Sequence, residues 1–96
     1  MLIDKGLSPL DIITLKLSSG EELIARLADE NPTHYKVTTP LVLGDTGKGI
    51  GMYPYLITAG TDRQVPINKS LVAVAILTDD AYADAYQKNT SSIQVM

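Results

Sequence analysis

The sequence has no cysteine, no tryptophan and no phenylalanine, and it has a single histidine. Without cysteine, disulfides and thiolate metal ligands are excluded, and nothing points to a disulfide-stapled secreted scaffold. All five aromatics are tyrosine, so the core must be built mainly from Leu, Ile, Val and Ala. That composition suits a small barrel with a narrow interior. Long apolar runs are also missing: the longest, Leu71 to Leu77, is far too short to span a bilayer. The N-terminal Met-Leu-Ile-Asp-Lys-Gly lacks a basic region followed by an apolar stretch, so no signal peptide is expected. A cytoplasmic protein without membrane partners is therefore expected.

What is present is one domain's worth of chain. Ninety-six residues, 45% of them hydrophobic, bury a limited core. Tight closure of a sheet, or association with copies of the same chain, should help to stabilise it. The net charge of −3 argues against a broadly cationic nucleic-acid binder. The charge is uneven, however. From Asp79 on there are three aspartates and one lysine, a net −2, so the first 78 residues carry only −1. A near-neutral body can still gather lysines on one face.

Along the chain, Ser8-Pro9 suits the start of one helical turn, with Ser as cap and Pro at the first helical position. Ile12 to Leu17 alternates, with Ile13, Leu15 and Leu17 on one side and Thr14 and Lys16 on the other, and so predicts a half-buried strand. Ser18-Ser19-Gly20-Glu21 reads as a tight turn. Leu23 to Ala28 completes a hairpin, with Leu23, Ala25 and Leu27 facing inward. Asp29 to Thr33 is a second turn. Tyr35 to Leu43 predicts a third strand with Tyr35, Val37, Thr39 and Leu41 on one face, bent or at an edge where Pro40 removes a ladder donor. Met52 to Ala59 predicts a fourth, interrupted by Pro54. After a turn at Gly60 to Arg63, Leu71 to Leu77 is apolar without alternation, the pattern of a strand buried on both faces. In so small a domain the second face needs another subunit to cover it. Thr78 onward predicts a short helix with Tyr82 and Tyr86 at i and i+4, then a loose tail beyond Asn89. The expected division is a barrel domain over 1–78 and a tail over 79–96. The fold class is all-β: a strongly bent five-stranded antiparallel barrel.

Chemistry-bearing motifs are few. The loop from Gly44 to Gly51 holds four glycines in eight residues. A phosphate-binding loop would need glycine at Val42 and a hydroxyl at Gly49, and would open a helix, so this is a hairpin loop. His34 is the only histidine, and a single histidine in a turn is usually a solvated residue rather than a catalytic base. Glu21-Glu22 and Asp79-Asp80 are neighbours whose side chains point apart, and no metal-ligand spacing occurs. No enzyme activity and no cofactor are expected.

One constellation has a distinctive shape. Leu15 to Leu27 reads Leu-x-Leu-x-x-Gly-x-x-Leu-x-Ala-x-Leu, followed by Asn31-Pro32-Thr33-His34-Tyr35-Lys36-Val37. This resembles the first signature of the Sm/LSm/Hfq family, with Gly20 as the turn glycine. Ala25 stands where that family usually has Gly, Asn31 where it has Asp, and Tyr35 where it has Asn. The second signature would fall on Ile67-Asn68-Lys69-Ser70-Leu71-Val72, without its Arg-Gly. The frame runs from Leu10 to Leu77, and the chain is also similar in character to uncharacterised phage-type Sm-like proteins.

The resemblance implies a homo-oligomeric ring of about five to seven copies with closed cyclic symmetry. In it the fourth strand of one subunit pairs with the fifth of the next. It also implies a role in nucleic-acid processing, with RNA or single-stranded DNA meeting the pore through the loops at 31–35 and 67–70. The residues it singles out are Asn31 and Asn68 for base edges, His34 or Tyr35 for stacking, and Lys69 for phosphate. A structural or protein-assembly ring without nucleic acid is the alternative.

Overall fold

In the computed structural model, which describes residues 6–60 and 62–94, β1 (Ile12–Leu17) and β2 (Glu22–Glu30) form the expected hairpin. Leu15 lies opposite Leu23, and Ile13 opposite Ala25. The turn depends on Gly20, whose φ of 111° a side chain rarely adopts. Its N–H donates to Leu17 O at 2.9 Å. At the other end of β1, the expected helical turn is instead a single reverse turn. Asp11 N donates to Ser8 O at 3.0 Å, and Leu10 takes a positive φ.

β3 (His34–Asp45) pairs with β2 over residues 35–42. Its phase breaks in the middle. Tyr35 and Val37 face the inner core, but after Thr39 it is Val42 that faces inward and Leu41 that faces out. The expectation of a single face through Leu41 fails here. Thr39 has φ 48°, Pro40 has no N–H for the ladder, and the register with β2 shifts between Ile24 and Arg26. Such a bulge reverses which side chains point inward.

The kink also divides the other edge of β3 between two partners. β4 (Ile50–Pro54) pairs with residues 41–45, and β5 (Gln64–Asn68) with residues 34–38. The fourth strand expected over Met52 to Ala59 therefore ends at Pro54. The turn expected at Gly60 to Arg63 includes Thr61, which lies outside the described residues. A 3-10 turn (Lys69–Leu71) leads into β6 (Val72–Leu77), which returns to pair with β1. The result is one antiparallel sheet of six strands in the order β4-β3-β2-β1-β6, with β5 beside β3. It is not the five-stranded closed barrel anticipated: no ladder joins β6 to β4 or β5 among the described residues.

Two apolar clusters cover the two faces. The inner one joins Ile13, Leu15, Leu17, Leu23, Ala25, Leu27 and Val37 to Val65 and Ile67 of β5. The outer one joins Ile12, Ile24 and Leu41 to Tyr86 of α1 (Asp80–Gln94). Tyr86 is 1% exposed, and its hydroxyl lies 3.1 Å and 2.9 Å from the carbonyls of Thr38 and Thr39, at the kink of β3. Burial raises its pKa above the usual tyrosine value. The segment expected to be a short helix and loose tail is thus a structural helix reaching Gln94. The N-terminal lead and the last two residues of the chain lie outside the described residues.

β6 is an edge strand. Val74 and Ile76 are 50% and 56% exposed in the single chain, so the second face anticipated as buried is open.

Candidate nucleic-acid interface

Two loops meet at the end of the sheet where β3 begins. The first, between β2 and β3, is closed by Asn31. Its backbone N–H donates to His34 O at 3.0 Å. Its side-chain Oδ1 accepts from Thr33 N (2.9 Å), His34 N (2.8 Å) and the Thr33 hydroxyl (3.1 Å). The Thr33 hydroxyl also lies 2.7 Å from His34 Nδ1. The second loop, between β5 and β6, is started by Asn68, whose Oδ1 accepts from Ser70 N at 2.9 Å. Lys69 N donates to Thr33 O at 2.8 Å, tying one loop to the other.

This geometry gathers all five residues singled out from the sequence. His34 lies opposite Asn68 in the β3–β5 ladder, and Tyr35 opposite Ile67. Lys69 Nζ sits 4.8 Å from the centroid of the Tyr35 ring. The Oδ1 atoms of Asn31 and Asn68 hold turns, as short polar side chains commonly do. Tyr35 is half-buried and packs against the inner core, with Lys69 over its ring.

A sixth residue completes the cluster. Glu30 Oε2 lies 2.6 Å from Lys69 Nζ, the one ion pair within 4 Å among the described residues. The signal for it was the hairpin register: a loop closed from Asn31 to His34 puts residue 30 opposite residue 35. Asp29 is likewise opposite Lys36. Two carboxylates and two ammonium groups therefore share this end of the sheet, leaving it close to neutral. Beside it is an open hollow of about 430 Å³ lined by Leu7, Leu27, Glu30, Pro32 and Lys69 among others.

The glycine-rich loop lies at the far end of β3. Thr46 N donates to Gly49 O at 2.9 Å, closing a hairpin turn, and no helix follows. The hollow there, about 420 Å³, is lined by Glu22, Asp45 and Asp79 with no lysine or arginine, which is unfavourable for a phosphate. No cluster of three or more acidic or histidine side chains among the described residues is placed to hold a metal. No helix among them is long and apolar enough to cross a membrane. No protein-family model matches the chain, and no curated protein sequence matches it.

Proposed function

We propose that this chain is a ring-forming Sm-like module that binds RNA or single-stranded DNA. The observation that carries the reading is the convergence of His34 and Tyr35 at the start of β3 with Asn68 at the end of β5 and Lys69 in the turn after it, on one end of the sheet. An aromatic face offers stacking to any base, and an ammonium beside it offers a phosphate partner. With the local charge near neutral, one such site is weak. A ring repeats it once per subunit, and simultaneous engagement raises the overall affinity.

The sheet edges support the ring. β6 exposes Val74 and Ile76, and β4 exposes Ile50. By the ladder registers all three, with Met52, lie on the α1 side of the sheet, since directly opposed residues share a face. Pairing β6 of one copy with β4 of the next sets these side chains against one another, and a head-to-tail contact of this kind closes when its rotation divides a full turn. An apolar edge left open is otherwise a template for aggregation. Pro54 withholds one donor at the end of β4.

A protein-assembly ring without nucleic acid is the second reading, favoured by the carboxylates of Asp29 and Glu30 at the same loops. Fluorescence anisotropy with short labelled single strands, at low and moderate salt, separates the two. Weak, salt-sensitive binding is expected. Tyr35→Ala should weaken it about tenfold or more, because stacking contributes ~1–3 kcal/mol per base. Lys69→Ala should flatten the salt dependence, since one fewer counterion is released. An assembled ring that binds no strand at low salt favours the second reading.

A further inference from the structure

The face of Tyr35 that a base would use is already occupied. A base stacked on that ring would bring its centre to roughly 4.5–7 Å from the ring centroid. Lys69 Nζ stands at 4.8 Å, and Glu30 holds it there through the 2.6 Å contact. We propose that Glu30 is a gate on the nucleic-acid site: it holds Lys69 across Tyr35, and a strand binds by drawing Lys69 away from both.

This inference rests on the functional reading above and adds to it the regulation of the same site. The frame around the gate is fixed, so the moving part is the Lys69 side chain. Glu30 is opposite Tyr35 in the β2–β3 ladder, and the Asn31 turn closes the loop between them. Lys69 is anchored through its own backbone N–H to Thr33. Both side chains of the ion pair remain partly exposed, at 29% and 37%, so solvent and ligand reach them without any backbone movement.

The arrangement also defines what opens it. Phosphate alone can compete with the Glu30 carboxylate for Lys69, but it leaves the ring of Tyr35 bare. A nucleoside alone can stack, but it must uncover an ammonium and gives it no anion in return. A nucleotide strand supplies both at once: an anion that takes Lys69 and a π-face that replaces it over Tyr35. The gate therefore favours polynucleotide over inorganic polyphosphate and over free nucleoside.

The test uses the full chain and a labelled single-stranded oligonucleotide at low salt. Glu30→Gln keeps the shape and removes the charge, and an exposed pair of this kind predicts binding about two- to fivefold tighter. The control is Asp29→Asn, which changes the net charge equally but lies opposite Lys36. It is expected to tighten binding clearly less than Glu30→Gln does. Without ligand, NMR should show the Lys69 side-chain methylene protons shifted upfield by the Tyr35 ring, with the shift reduced in Glu30→Gln. If Glu30→Gln and Asp29→Asn tighten binding equally, the effect is net charge and the gate is wrong. If Glu30→Gln binds like the parent while Tyr35→Ala and Lys69→Ala bind less well, the site stands and the gate falls. If neither the parent nor Glu30→Gln binds any strand, the site reading fails and takes the gate with it.

Discussion

Replacing Tyr86 by alanine tests whether α1 is part of the fold. The ring is 1% exposed and packs on Ile12, Ile24 and Leu41, three residues from three different strands. Emptying such a site costs about 3–5 kcal/mol, combining lost transfer energy with the cavity left behind. At ~0.05–0.15 kcal/mol per residue, a domain of this length has about 5–14 kcal/mol to lose. The substitution therefore removes a large share of the total. At roughly 4–8 °C per kcal/mol, the melting temperature should fall by about 12–40 °C. Tyr86→Phe keeps the ring but removes the donor to the carbonyls at the β3 kink, and should cost about 1–2 kcal/mol. Circular-dichroism melts and urea titrations of the three proteins measure both steps. The pH dependence adds an independent check. Burial raises the folded-state pKa of Tyr86 above its ordinary 10.0. Its contribution to stability is fully present below that value and lost as pH rises from there through the folded value, because the unfolded chain releases the proton first. Tyr86→Phe should lose this part of the alkaline destabilisation. A Tyr86→Ala protein melting within a few degrees of the parent would show that the helix is dispensable and the outer cluster unimportant.

Other outcomes follow from the same geometry. Light scattering on dilute protein should give a multiple of 10.3 kDa, and a clean monomer would remove the ring. Val74→Asp should leave a folded subunit, because the side chain is 50% exposed in the single chain, yet split the assembly. A protein that keeps its oligomeric size would exclude β6 from the interface. Gly20→Ala should destabilise the hairpin by about 1–2 kcal/mol through backbone conformation alone, since its φ is 111° and the space for a methyl group is open. Removing residues 84–96 should unfold the domain, as it deletes Tyr86 and Thr90 together, both buried. Retained cooperative melting would contradict this.

The first hairpin was legible because everything it needs is local. Alternation from Ile13 to Leu27 and one turn glycine determine register, inner face and turn together. β6 was legible as an apolar strand, but its place at an exposed edge of the sheet was not. Pro40 marked the bend in β3 but not its consequence. Whether the chain crosses such a bend with or without a bulge depends on what packs on either side. Here Tyr86 is placed at the kink from 47 residues away along the chain. The tail was misread for the same reason: its apolar residues are sparse, and one buried tyrosine with its hydroxyl satisfied holds the helix down.

By itself, the sequence determined the alternating hairpin, the β-dominated class and the exclusion of cysteine chemistry. The tertiary structure alone decided that β3 serves two partners on one edge, that the sheet stays open, and that α1 covers its outer face. It also decided that Glu30, Tyr35 and Lys69 form one cluster, although Glu30 and Lys69 are 39 residues apart. Local propensity and turn chemistry act over a few residues and are written in the chain. Contacts between distant segments arise from competition among many possible pairings, and only the packed fold selects among them.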